Sequence, residues 1–136
     1  MKEIILDNVE ATRNWAKDFA KNLKAPITVA LHGDLGMGKS VIARTIIQTL
    51  CGDDTVVPSP TFTLVQTYEN KDGKISHFDL YRINDKSELI EIGLPYAVDN
   101  DITLIEWPDI ADDILPENTI NIFLESYKDG RKLTVK

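Results

Sequence analysis

An α/β fold with a mixed central sheet is what this 136-residue sequence predicts, and three observations carry the prediction. Residues Gly33-Asp34-Leu35-Gly36-Met37-Gly38-Lys39-Ser40 fit G-x-x-x-x-G-K-[ST], a pattern that turns backbone amides and one ammonium toward a nucleotide's phosphates. Just before it, after Pro26, Ile27-Thr28-Val29-Ala30-Leu31 is a short apolar, β-rich run of the kind that forms interior parallel strands. Just after it, Val41, Ile42, Ala43, Ile46, Ile47 and Leu50 make a broad apolar helical face, with Gly52 as its C-terminal stop. A buried strand, a glycine-rich loop and a helix opening at the lysine are the context that gives the octapeptide meaning. A single P-loop NTPase-type domain over residues 1–136, its sheet flanked by helices, is therefore expected.

The remaining elements read in order. Glu3 to Leu6 is strand-like, and Asn8 is placed to cap a helix running to about Lys24, with Trp15, Ala16, Phe19, Ala20 and Leu23 as its apolar stripe. After the loop and its helix, Val56-Val57-Pro58-Ser59-Pro60-Thr61-Phe62 contains two prolines, which rule out helix and stiffen an extended loop. Phe62 to Tyr68 and Ile75 to Leu80 form a hairpin whose tip, Asn70 to Lys74, carries Asp72-Gly73. Ser87 to Ile92 reads as a short helix ended by Gly93 and Pro95. Ile102 to Glu106 is a buried strand stopped by Trp107-Pro108, and Thr119 to Tyr127 with Lys132 to Val135 is a second hairpin about Asp129-Gly130.

Composition narrows the functional classes. Apolar content of 43% and charged content of 27% are those of a water-soluble globular chain, and no apolar run is long enough to span a bilayer. Met1 to Leu6 lacks the features of a secretory signal, so a cytoplasmic location is expected, with no membrane partner. Cys51, the single cysteine, excludes an intrachain disulfide and reads as a small apolar residue. The net charge is −7; between Ile83 and Tyr127 eleven acidic residues face only Lys86, which disfavours direct binding of a nucleic-acid backbone.

The chemistry follows from residue types. Gly33, Gly36 and Gly38 permit backbone angles that let successive N–H groups converge on phosphate oxygens, and the helix starting near Lys39 adds its positive dipole end. Lys39 supplies a point charge for the terminal phosphates, and the Ser40 hydroxyl is a ligand for magnesium bridging them. A hydrolase of this kind also needs a carboxylate at a strand end. Asp79 ends one candidate run, and Glu106 ends a cleaner one at the sheet's carboxyl edge, where ligands bind in open α/β folds. Thr61, on the proline-stiffened loop, carries a hydroxyl suited to a switch contact, although Ser-Pro-Thr is equally a turn with local hydroxyl bonds. His32 and His77 lie in strands without a second nucleophile or metal-ligand spacing, and read as histidines bonded within the fold.

Four ordered motifs, Gly33-Asp34-Leu35-Gly36-x-Gly38-Lys39-Ser40, Ser59-Pro60-Thr61-Phe62, His77-Phe78-Asp79-Leu80-Tyr81-Arg82 and Ile105-Glu106-Trp107-Pro108, resemble the TsaE (YjeE) family from about Glu10 onward. The resemblance implies a bacterial ATPase required for the threonylcarbamoyladenosine modification of tRNA. Such an ATPase works with TsaB and TsaD in a pathway where TsaC makes the activated intermediate, touches tRNA only through the complex, and does not transfer the threonylcarbamoyl group itself. Carried over by position, Gly33 to Val41 would hold ATP, Lys39 its phosphates, and Ser40 and Glu106 Mg2+. Thr61 would be the switch threonine, Asp79 the second acidic group, and Trp107 a neighbour of the site. Thr12 and Arg131 would approach the nucleoside end. Met37 stands where the family often has alanine, and Ser40-Val41 where it often has two threonines; serine keeps the hydroxyl.

Other functions fit less well. A small P-loop kinase shares the loop but needs an acceptor pocket and a basic lid, and no arginine-rich segment supplies one. A GTPase needs Asn-Lys-x-Asp late in the chain, whereas Asn70-Lys71-Asp72-Gly73 lies at a hairpin tip ahead of the Asp79 strand. A non-catalytic adaptor gated by nucleotide is separable only by turnover. The reading is thus a magnesium-dependent ATPase with slow turnover alone, because Lys39 is almost the only cation near the loop; Arg82 is a candidate for a further one.

Overall fold

The computed structural model describes all residues, 1–136. Its strands are β1 (Lys2–Leu6), β2 (Ile27–His32), β3 (Val65–Asn70), β4 (Gly73–Asp79), β5 (Ile102–Glu106), β6 (Ile120–Tyr127) and β7 (Gly130–Val135). They form one mixed sheet in the order β1-β7-β6-β2-β5-β4-β3. The helices are α1 (Val9–Ala20), α2 (Lys39–Cys51), α3 (Ser87–Glu91) and α4 (Leu94–Asn100), with a 3-10 segment at Pro108–Ile114. No helix is long and apolar enough to cross a membrane.

The four inner strands β6, β2, β5 and β4 run parallel, while β3, β7 and β1 each join a neighbour antiparallel through the two hairpins and the chain's first strand. Inner strands covered on both faces are mostly apolar and fully buried, and β2 and β5 fit: Thr28 to Leu31 and Ile102 to Glu106 are all buried, with Thr28, Thr103 and Glu106 the polar exceptions. Side chains alternate between the two faces. On one, Ile75, Ile102 and Leu104 meet the stripes of α1 and α2 (Ala16, Ala20, Ile42, Ile46); on the other, Phe78 and Ile105 meet α3, α4 and the 3-10 segment through Leu89, Leu94 and Ala111. Register then sets the site: Leu31 lies opposite Glu106, and Glu106 opposite Asp79, so the carboxyl ends of β2, β5 and β4 finish side by side.

Local chemistry explains most boundaries and several departures from expectation. Asn8 caps α1 as predicted, its Oδ1 accepting from the Ala11 N–H at 2.8 Å, but the helix ends at Ala20 rather than near Lys24; Leu23 still packs in the core from beyond its end. The hairpin strand expected from Phe62 begins at Val65. A turn intervenes, closed by the Leu64 N–H donating to the Pro60 carbonyl at 2.6 Å, with Leu64 at φ 71°. The short helix expected from Ser87 does end before Gly93, but a further helix follows at once. Gly93, at φ 83°, breaks α3 from a second helix, α4, in whose first turn Pro95 sits, where proline's missing N–H costs no bond. The 3-10 segment after Trp107-Pro108 was likewise not expected.

Candidate functional site

The glycine-rich loop connects β2 to α2 at the centre of the sheet's carboxyl edge. Gly33 adopts φ 149° and lies so close to β6 that a Cβ there would stand 2.9 Å from the Leu124 carbonyl oxygen. Gly38, at φ 109°, precedes α2 with no side-chain cap bond, leaving the first amides of that helix without a side-chain acceptor. Such an N-terminus suits an anion. Met37, half-buried, packs against the core and accepts a bond from the Ser126 Oγ at 3.6 Å on its sulfur. Leu35 and Asp34 beside it are both exposed.

Lys39 is only 5% exposed. Its ammonium donates to the Gly33 carbonyl and, at 3.4 Å, to the Asp34 carbonyl. It also stands 3.6 Å from the centre of the Trp107 ring, which Trp107 presents from a backbone at φ 56°. Burial pushes the Lys39 pKa down, against the opposing attraction of Glu106, Asp79 and Asp34. Tyr81 packs against Trp107 at a tilt, ring centres 4.9 Å apart.

Ser40, one residue on, donates from Oγ to Glu106 Oε1 at 3.2 Å. Glu106 is 3% exposed, and its Oε2 lies 2.6 Å from His77 Nε2. Because a carboxylate only accepts, Nε2 carries the hydrogen. Asp79 is also buried; its Oδ2 accepts from the Thr61 hydroxyl at 2.9 Å and its Oδ1 from the Tyr81 N–H at 2.9 Å. Thr61 makes the local bond expected of a Ser-Pro-Thr turn too, its Oγ1 lying 2.8 Å from the Ser59 Oγ. The local-turn reading of Thr61 is thus seen, alongside a bond to the strand-end carboxylate Asp79.

The site residues suggested by sequence therefore come together from separate elements. Lys39, Ser40, Glu106, Asp79 and Thr61 converge at the ends of β2, β5 and β4. Thr12 and Arg131, with Gly36, Gly38 and Val41, line a separate cavity of about 200 Å³ beside the loop. Arg131 donates from Nη2 to the Gly36 carbonyl at 3.1 Å, which ties the last hairpin to the loop. Arg82 instead lies over the ring of Phe62, 5.4 Å from its centre, and Phe62 is 83% exposed.

His77 is the residue that sequence reading undervalued. It is bonded within the fold, as expected, but its partner is Glu106. The signal was available in part: His77 and Asp79 stand two apart on one strand and so share a face, the face that Glu106 shares across the sheet. His32, by contrast, bonds Asn121 Oδ1 at 2.9 Å and stacks on Phe123, ring centres 4.3 Å apart. Cys51 is half-buried, and burial raises its thiol pKa. No group of three or more His, Cys, Asp or Glu side chains is arranged to hold a metal ion.

Comparison with known proteins gives this geometry a lineage. A family model described as "Threonylcarbamoyl adenosine biosynthesis protein TsaE" matches residues 6–133. The chain is 43% identical over 131 residues to the tRNA threonylcarbamoyladenosine biosynthesis protein TsaE of Rickettsia bellii, covering 96% of this chain and 91% of that one. It is 42% identical over 125 residues to the protein of the same name in Haemophilus influenzae, covering 88% and 78%. Its fold matches the crystal structure of Bacillus subtilis YdiB with a TM-score of 0.76 at 26% identity, across 98% of this chain and 83% of that one. The chain thus belongs to the TsaE family of threonylcarbamoyl adenosine biosynthesis proteins.

Proposed function

We propose that this chain is a magnesium-dependent ATPase that serves threonylcarbamoyladenosine formation in tRNA. The observation that carries the reading is the convergence of Lys39 and Ser40 with two buried carboxylates, Glu106 and Asp79, around a helix N-terminus that lacks a side-chain cap. The donor set suits Mg2+. Ser40 Oγ and Glu106 Oε1 are both hard oxygen ligands, and a site with one carboxylate and one hydroxyl leaves the rest of the coordination to phosphate oxygens and water, as this ion prefers. When bound, the ion neutralises charge building on the phosphates.

The chain's own residues divide the remaining tasks. Gly36, Gly38 and the first amides of α2 receive phosphate oxygens. Lys39 leaves its carbonyl partners and the Trp107 face to meet the terminal phosphate, a charge-assisted pairing stronger than the bonds it gives up. The cavity of Thr12, Val41 and Arg131 receives the nucleoside. Asp79 holds Thr61, so ATP that recruits the Thr61 hydroxyl must draw it from that carboxylate and shift the Pro58 to Phe62 loop.

With Arg131 engaged on Gly36 and Arg82 on Phe62, Lys39 is the one cation directed at the phosphates, and turnover by the chain alone is slow. TsaB and TsaD, the partners that the family resemblance implies, complete or close the site; TsaC acts in the same pathway, and tRNA is met through the complex. Exposed Phe62, next to Thr61, is a surface through which a partner would reach the loop.

The test is the rate of magnesium-dependent ATP hydrolysis by the chain alone and with its cognate TsaB and TsaD, with Glu106→Ala as control. Stimulation by the pair that disappears in the variant supports the proposal. Tight ATP binding with no hydrolysis in either state replaces it with a nucleotide-gated adaptor, and phosphate transfer to a small acceptor replaces it with a kinase.

A further inference from the structure

We infer that His77 is a positioning residue that fixes which oxygen of Glu106 faces the metal; the inference rests on the magnesium-dependent reading above. Four observations converge on it. His77 is 2% exposed and Glu106 3%, so neither side chain exchanges its partner for bulk water. The Nε2 to Oε2 distance of 2.6 Å is short for a nitrogen donor, as expected when the acceptor is charged. The other oxygen, Oε1, is the one that meets Ser40 Oγ, the second magnesium ligand in the proposed site. Finally, His77 Nδ1 is buried and has no hydrogen-bond partner.

That last observation distinguishes a positioning role from simple packing. A buried histidine that serves only the fold ordinarily satisfies both ring nitrogens, because an orphaned buried polar atom is costly. His77 leaves one unpaired and commits the other wholly to Glu106. The bond also joins two adjacent inner strands diagonally, since His77 pairs in register with Leu104 and not with Glu106. The ring therefore spans two residue positions to reach the carboxylate. With Oε2 anchored to the rigid centre of the sheet, the carboxylate cannot turn both oxygens toward the loop. Oε1 stays on the Ser40 side and is pre-oriented as the single oxygen ligand. Partners that hold metal-ligating side chains in this way commonly govern affinity as strongly as some ligands do.

The test uses the full-length chain and Mn2+ as a spectroscopic probe. Mn2+ affinity is measured by electron paramagnetic resonance in the presence of a non-hydrolysable ATP analogue, with thermal melting run on every variant. His77→Leu is expected to weaken Mn2+ binding about 10- to 100-fold. His77→Gln, which carries an N–H donor at roughly the reach of Nε2, is expected to keep most of the affinity, whereas His77→Asn, whose donor sits nearer the reach of Nδ1, is not. In a Glu106→Gln background, His77→Leu should add little further loss, because its effect passes through that carboxylate.

The Gln and Asn pair decides the matter if the leucine variant fails to fold. Folded His77→Leu with unchanged Mn2+ affinity, equal losses for Gln and Asn, or additive losses with Glu106→Gln would overturn the positioning role while leaving the proposed function intact. If Glu106→Gln itself leaves Mn2+ affinity unchanged, the metal assignment of Glu106 falls, and this inference with it.

Discussion

Gly33 and Gly36 belong to the same loop, yet alanine at the two positions should have different consequences, and the difference can be worked out from the backbone. At Gly36, φ is 81° and a Cβ would meet nothing within 4 Å. Only conformational strain opposes the methyl group, at about 1 kcal/mol for an L residue held in the left-handed region. At Gly33, φ is 149°, a Cβ would lie 2.9 Å from the backbone oxygen of Leu124 and 3.3 Å from its Cβ, and neither atom belongs to a flexible chain end. Strain and overpacking add there, to about 3 kcal/mol. At about 2.1 cal/mol/K per residue, unfolding 136 residues carries an entropy of roughly 0.29 kcal/mol/K near the melting point. The two variants should then melt about 3 to 4 °C and about 10 °C below the parent, respectively. Differential scanning calorimetry at fixed protein concentration measures both. Equal shifts, or a smaller one for Gly33→Ala, would refute the claim that the close approach of the loop to β6 leaves no room for a side chain at Gly33.

Three further expectations concern other parts of the molecule. Trp107 fluorescence should change when ATP and Mg2+ are added, because Lys39 must leave the ring that it now covers; a Trp107→Phe variant, retaining Trp15, should lose the change, and a signal that survives in that variant would assign it elsewhere. Ser76 donates to buried Asp101 at 2.9 Å near the opposite ends of the strands, so Ser76→Ala should cost about 1–3 kcal/mol in urea unfolding through the carboxylate left unpaired. Its nucleotide affinity should be unaltered, and a loss would show that the two ends of the sheet are coupled. Asp85 accepts from the Ser87 N–H at 2.9 Å and its hydroxyl at 3.0 Å, bonds that lower the Asp85 pKa. The support it lends to α3 is complete above its unfolded pKa and lost as pH falls through the folded one; the melting difference between parent and Asp85→Ala should accordingly be present at pH 7 and vanish in strong acid.

Contiguous chemistry was legible without any structure. The octapeptide, the apolar run before it and the helical stripe after it are short-range patterns, each set by a few neighbouring residues, and they predicted the β2-loop-α2 unit and the α/β class. Asn8 and Asp72-Gly73 marked a helix start and a hairpin tip because capping and turn conformations depend on single side chains. Local reading stopped short at Gly93 and Pro95: α3 ends there as expected, but the same residues also start α4, which was not anticipated. Strand order and register were decided only by the folded chain. No property of residues 77 and 106 taken separately says that a ring on β4 will reach diagonally to a carboxylate on β5, nor that Thr61 will close on Asp79. The same holds for Thr12 and Arg131, which come from opposite ends of the chain to one cavity. The physical reason is that a side chain's type records what it can bond, whereas its partner is chosen by how the hydrophobic faces of α1 and α2 seat the sheet and so align the strand ends.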